Sequence, residues 1–140
     1  MTDITIGRAT DVIEAAEGKA EEIDVPMCIA VVDHGANLVA FHRMDGAMLA
    51  SVDIARGKAY TAVGLRMPTD ELAADAQPGE SLYGIEATND GRIVVFGGGF
   101  PLREDGEIVG AVGVSGAVPA DNDHTIADAA AGHPVIPKSH

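Results

Sequence analysis

Arg92-Ile93-Val94-Val95-Phe96-Gly97-Gly98-Gly99-Phe100-Pro101-Leu102-Arg103-Glu104-Asp105-Gly106-Glu107-Ile108-Val109-Gly110-Ala111-Val112-Gly113-Val114-Ser115 is the stretch on which the fold turns. Three β-rich runs, Arg92 to Phe96, Phe100 to Glu104 and Glu107 to Ser115, alternate with Gly97-Gly98-Gly99 and Asp105-Gly106. Asp-Gly between two such runs supplies the pair of positive φ angles that a two-residue hairpin requires, so the last two runs should pair antiparallel. The three together predict a meander. The triple glycine is not a dinucleotide fingerprint, because Phe100-Pro101 and another strand follow it where a pyrophosphate site needs a helix N-terminus.

The same logic extends upstream. Met27 to Val32 and Asn37 to Arg43 are β-rich runs joined by Asp33-His34-Gly35-Ala36, a turn composition that predicts a second hairpin. Ahead of them Ala9, Val12, Ile13, Ala16, Ala20 and Ile23 recur at three- and four-residue spacing behind Thr5 as N-cap, with Asp11, Glu14, Glu17 and Glu21 facing out. From Ser51 to Leu65 the stripe Val52, Ala55, Ala59, Ala62, Val63 predicts a second helix with Arg56 and Lys58 projecting from its flanks, ended by Pro68. Thr69-Asp70-Glu71 reads as the cap and first-turn acids of a short third helix that Gln77-Pro78-Gly79 breaks. A last helix should run from Asp121 or Asp123 to Ala131, followed by a frayed tail from His133 to His140. The order α-β-β-α-α-β-β-β-α with hairpin connections is that of an α+β fold, an antiparallel sheet covered by helices.

At 140 residues the chain fits a single domain, 1–140. Aromatic residues are 4% and Trp is absent while 46% of the chain is hydrophobic, so the core must be built from Ala, Val, Ile and Leu, which favours close helix-to-sheet packing. The formal charge is −13, from 22 acids and 9 bases, with Lys19, Lys58 and Lys138 the only lysines. That balance argues against nucleic acid as a partner, since phosphate binding relies on neutralisation by Lys and Arg. It suits a halophilic protein, because concentrated salt screens the self-repulsion of such a surface; an ordinary acidic protein is the alternative. Cys28, the single cysteine, lies inside an apolar run and reads as a small buried hydrophobe. The start Met1-Thr2-Asp3 has no basic n-region, and no stretch approaches the roughly 18 apolar residues of a membrane span, so a cytoplasmic protein without a membrane partner is expected.

Candidate site residues cluster where strands end. Arg43 offers a planar fork of donors suited to a carboxylate and Asp45 an acceptor or base; an internal Arg43–Asp45 pair is the ordinary reading. Lys58 and Thr61 can share one helix face and hold an acid group, against a snorkelling lysine and a threonine bonded back to its own helix. Gly97, Gly98 and Gly99 could present consecutive amides to an anion or form a tight bend. Ser115 could donate to a ligand or to the following loop. Among the five histidines, His34, His42, His124, His133 and His140, no spacing fits a zinc site, so no metal centre of that kind is expected. Haem ligation needs only one histidine, and His42, beside Arg43 in a strand, is the candidate, against the ordinary reading of a satisfied or exposed strand histidine.

Ile29-Ala30-Val31-Val32-Asp33 with Gly35, Arg43-Met44-Asp45-Gly46-Ala47, Ala55 to Ala62, Gly97-Gly98-Gly99 with Pro101, and Gly110 to Gly116, five motifs in order over nearly the whole chain, resemble the GlcG/HbpS-like haem-binding family. That family includes the C-terminal domain of PduO-type adenosyltransferases. The resemblance implies a profilin-like α/β/α layering, a five-stranded antiparallel sheet and a homo-oligomer, with haem or a corrinoid as cofactor in some members. In the PduO-type case it implies a histidine ligand associated with the first helix, and this chain has no histidine before His34. The expectation is a homo-oligomeric protein binding a small-molecule ligand: haem, a corrinoid or a small acidic metabolite. The alternatives are an accessory oligomer without chemistry, or a small enzyme acting on a hydroxy- or keto-acid. In the enzyme, Arg43 or Lys58 would orient the carboxylate, Asp45 or His42 would move a proton, and Lys58 and Asp45 would lie in a water-poor cleft.

Overall fold

Asp105 and Gly106 both adopt positive φ, +54° and +82°, and the strands they join pair antiparallel from Glu104↔Glu107 to Gly99↔Gly113. The hairpin is therefore set by the turn residues themselves. The computed structural model describes residues 3–116 and 121–132, so the expectation for the tail His133 to His140 lies outside the described residues. In chain order the elements are α1 (Ile6–Glu22), β1 (Cys28–Asp33), β2 (Leu38–Arg43), α2 (Ala50–Leu65), α3 (Thr69–Asp75), two short 3₁₀ turns (Ile85–Ala87 and Asn89–Gly91), β3 (Gly99–Glu104), β4 (Glu107–Ser115) and α4 (Asp121–Gly132). The sheet is antiparallel in the order β2-β1-β4-β3.

Strand alternation sorts the apolar residues onto two faces. Ile29, Val31, Val112 and Val114 pack with Val12, Ile13 and Ala16 of α1 and Ile126 and Ala127 of α4. Cys28, Ala30, Val32 and Ala111 pack on the other face with Ala55, Ala59 and Ala62 of α2. Helix α2 comes so close that a Cβ at Gly113 would collide with the Ala55 carbonyl, which is why small residues line this contact. Helix α1 begins as its sequence dictates, with the Thr5 hydroxyl accepting from the Arg8 amide at 3.1 Å. Thr69, expected as a cap, is instead the first residue of α3 behind Pro68.

The sheet has four strands among the described residues, where the upstream hairpin and the three-stranded meander together predict five. Arg92 to Phe96 is the difference. The Val94 amide donates to the Thr61 hydroxyl of α2 at 2.9 Å, and the same hydroxyl donates to the Gly57 carbonyl at 2.7 Å. The segment thus satisfies its backbone on a helix side chain rather than on a strand ladder. Gly57 makes room for it, since a Cβ there would lie 2.8 Å from the Val94 side chain.

Candidate functional site

Lys58 is the largest fully buried side chain of the described residues. Its Nζ donates to the Val114 carbonyl at 2.9 Å and to Asp123 Oδ2 at 3.0 Å, and it stands 4.9 Å from the centre of the Phe96 ring. Helix α2 covers one face of the sheet and α4 the other, so Lys58 reaches its partner by passing the end of β3. Gly98 opens that passage. Its φ is +129°, and a Cβ there would sit 2.6 Å from Lys58 Nζ and 2.5 Å from the Val114 carbonyl oxygen. The Val114 amide donates to the Gly98 carbonyl at 2.8 Å, and the Gly99 amide donates to the Thr69 hydroxyl at 2.9 Å.

Burial pushes the Lys58 ammonium below its ordinary value of 10.5, and the Asp123 carboxylate opposes that shift through charge and hydrogen bond. The expectation that Lys58 projects from the flank of its helix is therefore corrected. The glycines supply the space, and Asp123, in the first turn of α4, supplies the countercharge. Nothing in the sequence around Asp123 distinguishes it from an ordinary first-turn acid, and its partner lies 65 positions earlier.

The remaining candidates fall in separate places. Ser115 is buried with its hydroxyl 3.4 Å from that of Ser51 on α2, so Lys58, Gly98, Gly99 and Ser115 share one end of the α2–sheet contact. Thr61 is buried and holds the 92–94 segment. Gly97 packs against His124, where a Cβ would lie 2.9 Å from the histidine Cβ. His124 Nδ1 stands 3.7 Å from Asp70 Oδ1, with its ring 5.1 Å from that of Phe100.

Arg43 and Asp45 border a shallow groove of about 410 Å³ together with Glu17, Glu21 and Met44. His42 adjoins it, and Glu17 Oε2 accepts from His42 Nδ1 at 2.7 Å. In the ladder His42 stands opposite Ile29, on the α1 face, whereas Arg43 stands opposite Cys28, on the α2 face. Because Arg43 is the last residue of β2 it still borders the groove. Its charge also reaches the Cys28 thiol, partly offsetting the rise that burial imposes on that group. Glu17 was expected to face outward. Its side chain is 26% exposed and bound to His42, a pairing only the docking of α1 beside β2 could disclose. Among the described residues no three His, Cys, Asp or Glu side chains gather as a metal site, and no helix is long and apolar enough to cross a membrane.

The comparisons with known proteins agree with this architecture. A 15.0 kDa protein of Citrobacter freundii from the dhaT-dhaS intergenic region is 48% identical over 130 residues, covering 93% of this chain and 91% of that one. The corrinoid adenosyltransferase PduO of Citrobacter freundii is 40% identical over 116 residues, 83% of this chain but 34% of PduO, so the likeness spans about a third of that enzyme. A crystal structure of a PduOC:haem complex superposes with a TM-score of 0.89 at 34% identity and covers 94% of each chain. Residues 4–132 match the family described as haem degrading protein HbpS-like, and the chain belongs to that family.

Proposed function

We propose that this chain is a homo-oligomeric, small-ligand-binding protein of the HbpS type, and that haem would be held beside β2 with His42 as the residue that ligates its iron. The Glu17–His42 pair carries the reading. A carboxylate bound to Nδ1 fixes the tautomer and leaves Nε2 as the free donor, the arrangement that metal-ligating histidines commonly use. His42 is half-exposed on the edge strand, so Nε2 is reachable from outside. His42 thus offers one imidazole donor to an iron porphyrin, whose iron would supply the redox and ligand chemistry when bound. Arg43 is placed to meet a propionate, and Met44 gives the groove an apolar wall. The resemblance to the haem complex supports the same ligand class.

The groove is open, so a second copy would complete the enclosure. Met48 and Leu49, a few residues beyond the groove's Arg43, Met44 and Asp45, are exposed apolar side chains that support a homo-oligomer on this side. We place the protein in the cytoplasm, where a lone cysteine such as Cys28 stays reduced.

The test is a haemin titration of the whole protein in low and high salt, followed at the Soret band, with His42→Ala and Glu17→Gln, beside sizing of the apo and loaded forms. A saturable, stoichiometric shift that is lost in His42→Ala and weakened about tenfold in Glu17→Gln is expected. A shift that persists in His42→Ala, or no saturable shift, overturns the assignment. Hydroxocobalamin in a parallel titration assigns the groove to a corrinoid if it alone binds through His42.

The hydroxy- or keto-acid enzyme gains less support. Lys58 is buried, but its ammonium is committed to Val114 and Asp123, and Asp45 is an exposed residue of the other groove.

A further inference from the structure

Away from the His42 groove, α2 and the 90–94 segment enclose a cleft of about 490 Å³, within the range of small-molecule sites. Its floor is apolar, formed by Val32, Ile54, Val94 and the bare backbone of Gly57. Two guanidinium groups, Arg56 and Arg92, border it. The Arg92 guanidinium lies 4.1 Å over the Tyr60 ring and its Nε donates to the Asn89 carbonyl at 3.0 Å, while the Tyr60 hydroxyl accepts from Asn89 Nδ2 at 2.8 Å. That bracket holds the guanidinium plane still and leaves its terminal nitrogens unassigned. Among the described residues neither Arg56 nor Arg92 forms an ion pair, in a chain with 22 acids and 9 bases.

We propose that this cleft is a second ligand site, which takes a small monocarboxylate with an apolar body. Arg56 and Arg92 hold the carboxylate, and the body lies on Ile54, Gly57 and Val94. A planar guanidinium matches a carboxylate fork, and its stacking on Tyr60 removes much of the ordering cost of binding. Asp53 and Asp90 also border the cleft, and their charges repel a second anionic group. The site thus selects one carboxylate over a dicarboxylate or inorganic phosphate. The protein's overall negative charge works against any loosely held anion, so binding must come from these local donors.

The experiment is a titration of the ¹⁵N-labelled full chain with benzoate, 3-methylbutanoate, succinate and inorganic phosphate, repeated in Arg56→Gln and Arg92→Gln. Benzoate or 3-methylbutanoate should saturate with a Kd on the order of 1 mM, moving the amides of Gly57, Gly91 and Val94. Each arginine variant should weaken it about tenfold, and succinate and phosphate should bind about tenfold more weakly than the monocarboxylates. Arg56 is exposed and makes no bracket, so Arg56→Gln tests the site with the 89–92 turn intact. Equal binding of phosphate and benzoate, shifts centred elsewhere, absence of saturation, or unchanged affinity in Arg56→Gln each overturns the proposal. None of these outcomes bears on haem binding at His42.

Discussion

Replacing Lys58 by Met should be among the most damaging single substitutions in this chain. Met fills much of the aliphatic volume but removes the ammonium, leaving the Asp123 carboxylate, whose side chain is 2% exposed, and the Val114 carbonyl without that donor. Breaking a buried pair from one side costs about 3–5 kcal/mol, because the remaining charge keeps its desolvation penalty while losing that ammonium. Against a total stability of about 5–15 kcal/mol this is a large share. Urea unfolding with a constant m-value measures it. Asp123→Leu in the Lys58→Met background should then recover part of the loss, since the pair as a whole offsets its own burial cost poorly. The pH dependence has a definite sign. Burial lowers the folded-state pKa below the ordinary 10.5, so between the two values the unfolded chain binds the extra proton. The Lys58 contribution to stability therefore rises with pH up to 10.5, and Lys58→Met should lack that increment. A loss under about 1 kcal/mol, or a strictly additive double-mutant cycle, would refute the account.

Other outcomes follow from the same packing. Gly98→Ala should destabilise by at least about 2 kcal/mol in urea melts, because its Cβ would meet both Lys58 Nζ and the Val114 carbonyl at positive φ. Gly64→Ala, exposed inside α2 with nothing within 4 Å of the new carbon, should instead stabilise by about 0.5–1 kcal/mol. Thr61→Val should cost about 1–3 kcal/mol by stranding the Val94 amide, with faster hydrogen exchange at that amide as the readout. Cys28 should resist thiol reagents at pH 8 until denaturant is added, since burial holds its pKa above the ordinary 9.0; rapid native labelling would contradict its placement.

Elements whose information is local were readable from the residues alone. Asp105-Gly106 carries its turn in its own backbone preferences, and the Ala9–Ala20 stripe names the buried face of α1. The Asp33 turn likewise binds itself, with the carboxylate accepting from the amides of Gly35 and Asn37 at 2.9 Å each. Arg92 to Phe96 misled because a β-rich composition reports burial and chain stiffness, not which partner meets the backbone; here Thr61 meets it from a helix. The site was legible in its members more than in its groupings. Lys58 and the glycines do meet, but through Asp123, which no spacing marks. His42 and Arg43 are neighbours in sequence that strand alternation sends to opposite faces, and Glu17 joins His42 only once α1 has docked.

The Lys58–Asp123 contact also sets an order of events. During synthesis α2 is complete before its countercharge is made, since Asp123 lies 65 positions after Lys58. Until α4 arrives, the ammonium must remain in water, so the final seating of α2 against β4 waits for α4. A nascent chain stopped short of Asp123 would lack the countercharge of its buried lysine, which makes the synthesis of α4 the step at which this core can close.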